Sequence, residues 1–124
     1  MSFERSSVLL GHIAEAVQAI ESFTYGMNFQ DFSADPKTVA AVERMLLTIS
    51  EAAKRMGPAA ETLCPGQPWH KIRGAGNWLR HQYDRIDLQS IWDTVTDDLP
   101  PLKAAVMRVL APMEAPEPPE PGLR

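Results

Sequence analysis

The chain has 124 residues, 44 % of them hydrophobic and 23 % charged, with a formal net charge of −4 at pH 7. That length suits one domain with a real core rather than two, and the acidic balance argues against a protein wrapped in nucleic acid. No apolar run approaches the roughly 20 residues that span a bilayer, and the single cysteine, Cys64, excludes an internal disulfide and a cysteine metal cluster.

Met1-Ser2-Phe3-Glu4-Arg5 lacks the basic, apolar, small-residue order of a secretory leader, so a cytoplasmic protein is expected. Val8, Leu9, Ile13, Val17, Ile20 and Phe23 recur three and four apart and predict a first helix over about 6–23, ended by Tyr25-Gly26. Phe29 and Phe32 in the following connection read as apolar plugs. Asp35-Pro36 is an N-cap followed by proline at the first helical position. Val39, Val42, Met45, Leu46, Ile49, Ala53 and Met56 then stripe a second helix that Gly57-Pro58 stops.

A short turn over 59–64 precedes the Pro65-Gly66-Gln67-Pro68 break. Trp69, Ile72, Ala75, Leu79 and Tyr83 fit a third helix, which the interior glycines Gly74 and Gly76 weaken by about 1 kcal/mol each relative to alanine. Either another backbone packs closely on these glycines or side chains have been lost there. Asp87 caps a fourth helix carrying Leu88, Ile91, Trp92 and Val95. Asp98-Leu99-Pro100-Pro101 reads as a break, with Leu102, Val106, Val109 and Leu110 on a fifth helix. From Pro112 the sequence alternates Pro and Glu and cannot bury enough apolar area to order itself. The expected architecture is all-α: a compact up-and-down bundle of about five helices over 1–111, with a disordered tail over 112–124.

The third helix concentrates the polar chemistry. Lys71, Arg73, Arg80 and Arg85 stand against Asp84, with His70 and His81 close by; such a patch holds phosphate at short range even on an acidic protein, or is simply a solvated face. Arg73, Asn77, Arg80 or His81, and Asp84 lie three or four apart and share a face, whereas Tyr83 points elsewhere from His81. Glu51 is bracketed by Ile49 and Ala53 and is expected to face inward, unless it pairs with Lys54 or Arg55 at the surface. Trp69, Trp78 and Trp92 suit core or interface packing better than base stacking. Cys64 has no neighbouring base in sequence and His12 falls on a surface position.

The run from Pro68 to Leu88 resembles the signature region of the HepT-like branch of the HEPN superfamily, the toxins of HEPN–MNT toxin–antitoxin systems. Phe29-Gln30-Asp31-Phe32, Ile49-Ser50-Glu51-Ala52-Ala53-Lys54-Arg55, and Ile91-Trp92 followed by Asp97-Asp98-Leu99-Pro100 agree in order and spacing, so the likeness covers about residues 5–110. The resemblance implies a homodimeric helical bundle in which two copies of an Arg–polar–three residues–His–any–Tyr motif form one ribonuclease site without metal or other cofactor. It implies RNA, tRNA or message, as substrate, and a minimal nucleotidyltransferase antitoxin as partner. In this sequence the polar position is Asn77, the histidine His81 and the tyrosine Tyr83, the residue to which the antitoxin would transfer AMP. The arginine position is Gly76. Either Arg73 or Arg80 stands in for it, or cleavage is lost and the dimer serves as a binding partner; Glu51 and Asp84 would support the site.

Overall fold

The computed structural model describes residues 2–80 and 87–114, all of them in helices or in the connections between helices. Five longer helices correspond to the predicted ones: α1 (Phe3–Phe23), α3 (Pro36–Met56), α5 (Trp69–Arg80), α6 (Leu88–Asp93) and α7 (Leu99–Glu114). Two single-turn helices, α2 (Phe29–Ser33) and α4 (Ala59–Leu63), fill the connections. No described helix is long and apolar enough to cross a membrane.

Helix α1 starts three residues earlier than the spacing suggests, because Ser2 caps it by accepting the Arg5 amide at 3.1 Å. Its core stripe is Ser6, Leu10, Ile13, Val17 and Ile20. Val8 is 57 % exposed: five positions from Ile13, it lies about 140° round the helix from that stripe. Phe23, in the last turn, is also exposed. The Thr24 hydroxyl then donates to the Ile20 carbonyl at 2.8 Å and Gly26 turns the chain with φ of 75°.

Helix α2 is set by a capping box, in which the Asn28 side chain accepts the Asp31 amide at 2.8 Å and Asp31 accepts the Asn28 amide at 3.1 Å. This seats Phe32 with no exposed surface, its ring 5.0 Å from that of Trp92, so one of the two expected plugs is fully buried. Asp35 caps α3 as the sequence predicts, accepting from the Thr38 amide and hydroxyl, and these bonds hold its carboxyl below the ordinary range. Gly57 ends α3 with φ of 55°.

Helix α3 is the central element, with α1 against one side and α5 against another, while α7 packs on α1. The buried side chains of α3, among them Val42, Leu46, Ile49, Ala53 and Met56, meet Leu10, Ile13 and Val17 of α1 in one continuous core. Asp87 caps α6 through the Gln89 and Ser90 amides. The expected break at Asp98–Pro101 is not a break. A π turn over Thr94–Asp98 links α6 to α7, and the Leu99 amide bonds back to the Thr94 carbonyl. Pro100 and Pro101 then fall in the first turn of α7, where prolines without N–H groups are tolerated. Helix α7 runs on to Glu114, past the predicted boundary at 111; the rest of the Pro/Glu tail lies outside the described residues.

Candidate functional site

Helix α5 is held from its first residue. The Trp69 indole is 1 % exposed and donates through Nε1–H to the Cys64 carbonyl at 2.8 Å, tying the α4–α5 turn to the helix. Cys64 is buried beneath it, and burial pushes its thiol up, against a weaker pull from Arg108. A thiol held protonated is a poor nucleophile.

One turn further, Arg73 reaches across to the C-terminal end of α3. Its guanidinium donates to the Gly57 carbonyl at 2.7 Å and to the Ala53 carbonyl at 3.4 Å, and grips both Glu61 oxygens, one at 2.8 Å. It thus adds a second donor to carbonyls that already accept the Gly57 and Ala60 amides, with positive charge where the helix dipole favours it. Arg73, one of the two arginines expected to stand in at the site, has its hydrogen-bonding fork engaged by Glu61 and the α3 terminus. Lys71 is likewise paired, with Asp98.

Gly76 is where α5 meets α3. The Ser50 hydroxyl, fully buried, accepts the Gly76 amide at 3.1 Å and donates to the Arg73 carbonyl at 2.9 Å. A Cβ built on Gly76 would stand 3.0 Å from Ser50 Oγ and 3.2 Å from Lys54 Nζ. Side chains of α3, not its backbone, are what pack on this glycine. Gly74 has nothing within 4 Å of its Cβ position and opens on a groove of about 420 Å³ between α3, α5 and the α6–α7 region. Leu46, Ile49, Ile72, Ala75, Trp78 and Leu102 give that groove its apolar lining.

Beside Gly76, Asn77 is exposed, and Arg80 closes the described part of α5. The Arg80 side chain, His81, Tyr83 and Asp84 lie outside the described residues. Glu51 is exposed on α3 rather than inward, and it does have an interaction partner. The reason is helical phase: Ser50 and Ala53 take the buried positions around it. The structure thus brings together Gly76, Ser50 and Lys54 next to Asn77, and places Arg73 with Glu61. In the sequence Ser50 and Lys54 stand in the stretch from Ile49 to Arg55, but nothing there ties them to Gly76. Only the docking of α5 on α3 brings them to Gly76.

The ribonuclease HepT-like family matches residues 13–109, a span that contains α3, α5 and the Asn77–His81–Tyr83 motif. The chain belongs to this family. Among curated relatives of this HepT-like chain, a probable ribonuclease HepT of Thermococcus cleftensis is 40 % identical over 94 residues, covering 76 % of this chain and 86 % of the relative. A protein of Caldanaerobacter subterraneus subsp. tengcongensis, provisionally named an RNase, is 30 % identical over 101 residues, covering 82 % of this chain and 90 % of its own length. No solved structure matches the HepT-like chain.

Proposed function

We propose that this chain is the toxin of a HEPN–MNT toxin–antitoxin pair, a homodimeric, metal-independent ribonuclease whose site is shared between two copies. The observation that carries the reading is the family match across residues 13–109, with Asn77, His81 and Tyr83 standing in the sequence at the motif spacing. The substrate is RNA, tRNA or message. In the reaction, the 2′-hydroxyl oxygen attacks the adjacent phosphorus, the P–O5′ bond breaks, and the products carry a 2′,3′-cyclic phosphate and a 5′-hydroxyl. One His81 takes the 2′-hydroxyl proton and the His81 of the second copy protonates the departing 5′-oxygen, work suited to a group titrating near neutrality. Asn77 and Arg80 orient the phosphate, and Glu51 and Asp84 support them.

Tyr83 is the regulatory position. AMP transferred to its hydroxyl by a partner nucleotidyltransferase would place a bulky anion beside the histidines and repel an RNA phosphate.

A second reading, a non-catalytic dimer that binds the nucleotidyltransferase, is favoured by one observation: Gly76 is buried against Ser50 and contributes no cation. The chain expressed alone, beside His81→Ala, separates the two. Growth arrest and cyclic-phosphate RNA ends that vanish with His81→Ala support the nuclease; a folded dimer giving neither supports the binding module. Incubation with the cognate nucleotidyltransferase, ATP and Mg²⁺ should add AMP to Tyr83, and an unmodified tyrosine would refute that part.

A further inference from the structure

We propose that Lys54, presented from α3, is a phosphate-binding cation of the site, beside Arg80, where the site's own helix carries glycine at position 76. This rests on the ribonuclease reading and names a residue that reading lacks.

Lys54 Nζ lies 3.2 Å from the point where a side chain at position 76 would begin. An ammonium therefore stands at the root of the missing arginine, delivered from the neighbouring helix. The arrangement is held rather than accidental. Ser50, one turn before Lys54, bonds to the α5 backbone on both sides of the contact, at the Gly76 amide and the Arg73 carbonyl, which fixes how α5 lies against α3. A side chain at 76 would crowd both Ser50 and Lys54, so glycine there and lysine at 54 are spatially linked choices.

Two other cations, both on α5, are already engaged. Lys71 pairs with Asp98, and Arg73 with Glu61. Lys54 is exposed and makes no ion pair among the described residues. A lysine is a compact point charge on a flexible four-carbon stem, so it swings from the Gly76 contact to a phosphate oxygen over Asn77 without moving backbone. It offers no bidentate fork, which makes the geometry of the phosphate interaction less demanding than an arginine would.

The test uses the full chain with Lys54→Ala, Lys54→Arg, Lys54→Ala combined with Gly76→Arg, and Lys37→Ala as a control near the far end of α3. Each variant is checked by thermal unfolding. Cleavage is followed on total RNA, and binding is followed as a function of salt on a 2′-O-methyl oligoribonucleotide, which lacks the attacking hydroxyl. Lys54→Ala should lower cleavage by about 100-fold, the scale of losing one charged stabiliser of a transition state. It should also reduce the log–log salt slope of binding by about 0.7 for each single-strand phosphate that the protein no longer neutralises. Lys54→Arg should keep most of both, Gly76→Arg should restore cleavage to the Lys54→Ala protein, and Lys37→Ala should change neither.

A folded Lys54→Ala protein that binds the oligonucleotide with the parent's affinity and salt slope overturns the proposal, whether or not the Gly76→Arg partner folds. A parent that binds the oligonucleotide but cuts no RNA sinks the ribonuclease reading while leaving Lys54 a binding cation. A parent that binds no oligonucleotide overturns both.

Discussion

Ser50 and Gly76 face each other across the α3–α5 seam, joined by a 3.1 Å hydrogen bond from the glycine amide to the serine hydroxyl. The contact explains why two glycines two residues apart in one helix are not equivalent. Gly74→Ala meets open space and gains the helix preference of alanine, so it should stabilise by about 0.5–1 kcal/mol. Gly76→Ala gains the same preference but sets a methyl 3.0 Å from a hydroxyl that is buried and bonded on both sides. It should destabilise by about 1 kcal/mol net. Urea unfolding of both variants checks the pair, and in a Ser50→Ala background the Gly76→Ala penalty should shrink.

Arg73 is expected to matter for folding more than for chemistry. Arg73→Ala removes donors to two carbonyls and a carboxylate, and should cost about 2 kcal/mol of unfolding free energy. At a temperature where the variant stays folded, RNA cleavage should remain within a few-fold of the parent. A folded variant that has lost all cleavage would return Arg73 to the site.

The same pair sets an acid response. The Arg73 guanidinium holds the Glu61 carboxyl below its usual range. A carboxyl lowered in the folded state contributes stability in full above its unfolded value, about pH 4.3, and loses it as pH falls through the lowered folded value. The urea midpoint of Glu61→Gln should therefore fall less between pH 6 and pH 3 than that of the parent.

Trp69→Phe keeps most of the buried ring but leaves the Cys64 carbonyl without its indole donor. A loss of about 1–2 kcal/mol is expected. The native Cys64 thiol, buried and protonated, should label slowly with a thiol reagent, and faster in the variant as the turn above it opens. Equal labelling rates would show that the indole bond does not hold the turn.

The caps were the most legible part of the fold. Asp35-Pro36, Gly57-Pro58 and Asp87 announce helix ends by local chemistry, and each ends a helix where it says. The apolar stripes of α1 and α3 are local too, although Val8 and Phe23 show that membership of a stripe depends on helical phase as well as on hydrophobicity. What the sequence did not disclose is long-range. Nothing near Arg73 in sequence says that Glu61 and the end of α3 will take its donors, and nothing near Gly76 points to Ser50 and Lys54, over twenty residues earlier. The motif spacing points to Asn77 and the residues after it as the expected site, but the neighbours of Gly76 come from the helix that α5 packs against.

The π turn between α6 and α7 has a consequence for how the chain tolerates change in length. Its wider winding holds one residue more than an α turn, and it sets the rotational phase of α7 against α6. Deleting a single residue between 94 and 98 would remove that extra residue and restore ordinary winding with little change of phase, whereas inserting one more would rotate α7 by about 100° relative to α6. After such an insertion Leu102, Val106 and Leu110 would turn out of the core they now fill. Insertions should thus be accepted in the Pro65–Pro68 loop and rejected in the Thr94–Asp98 turn, although the sequence reads both Pro65–Pro68 and Asp98–Pro101 as breaks.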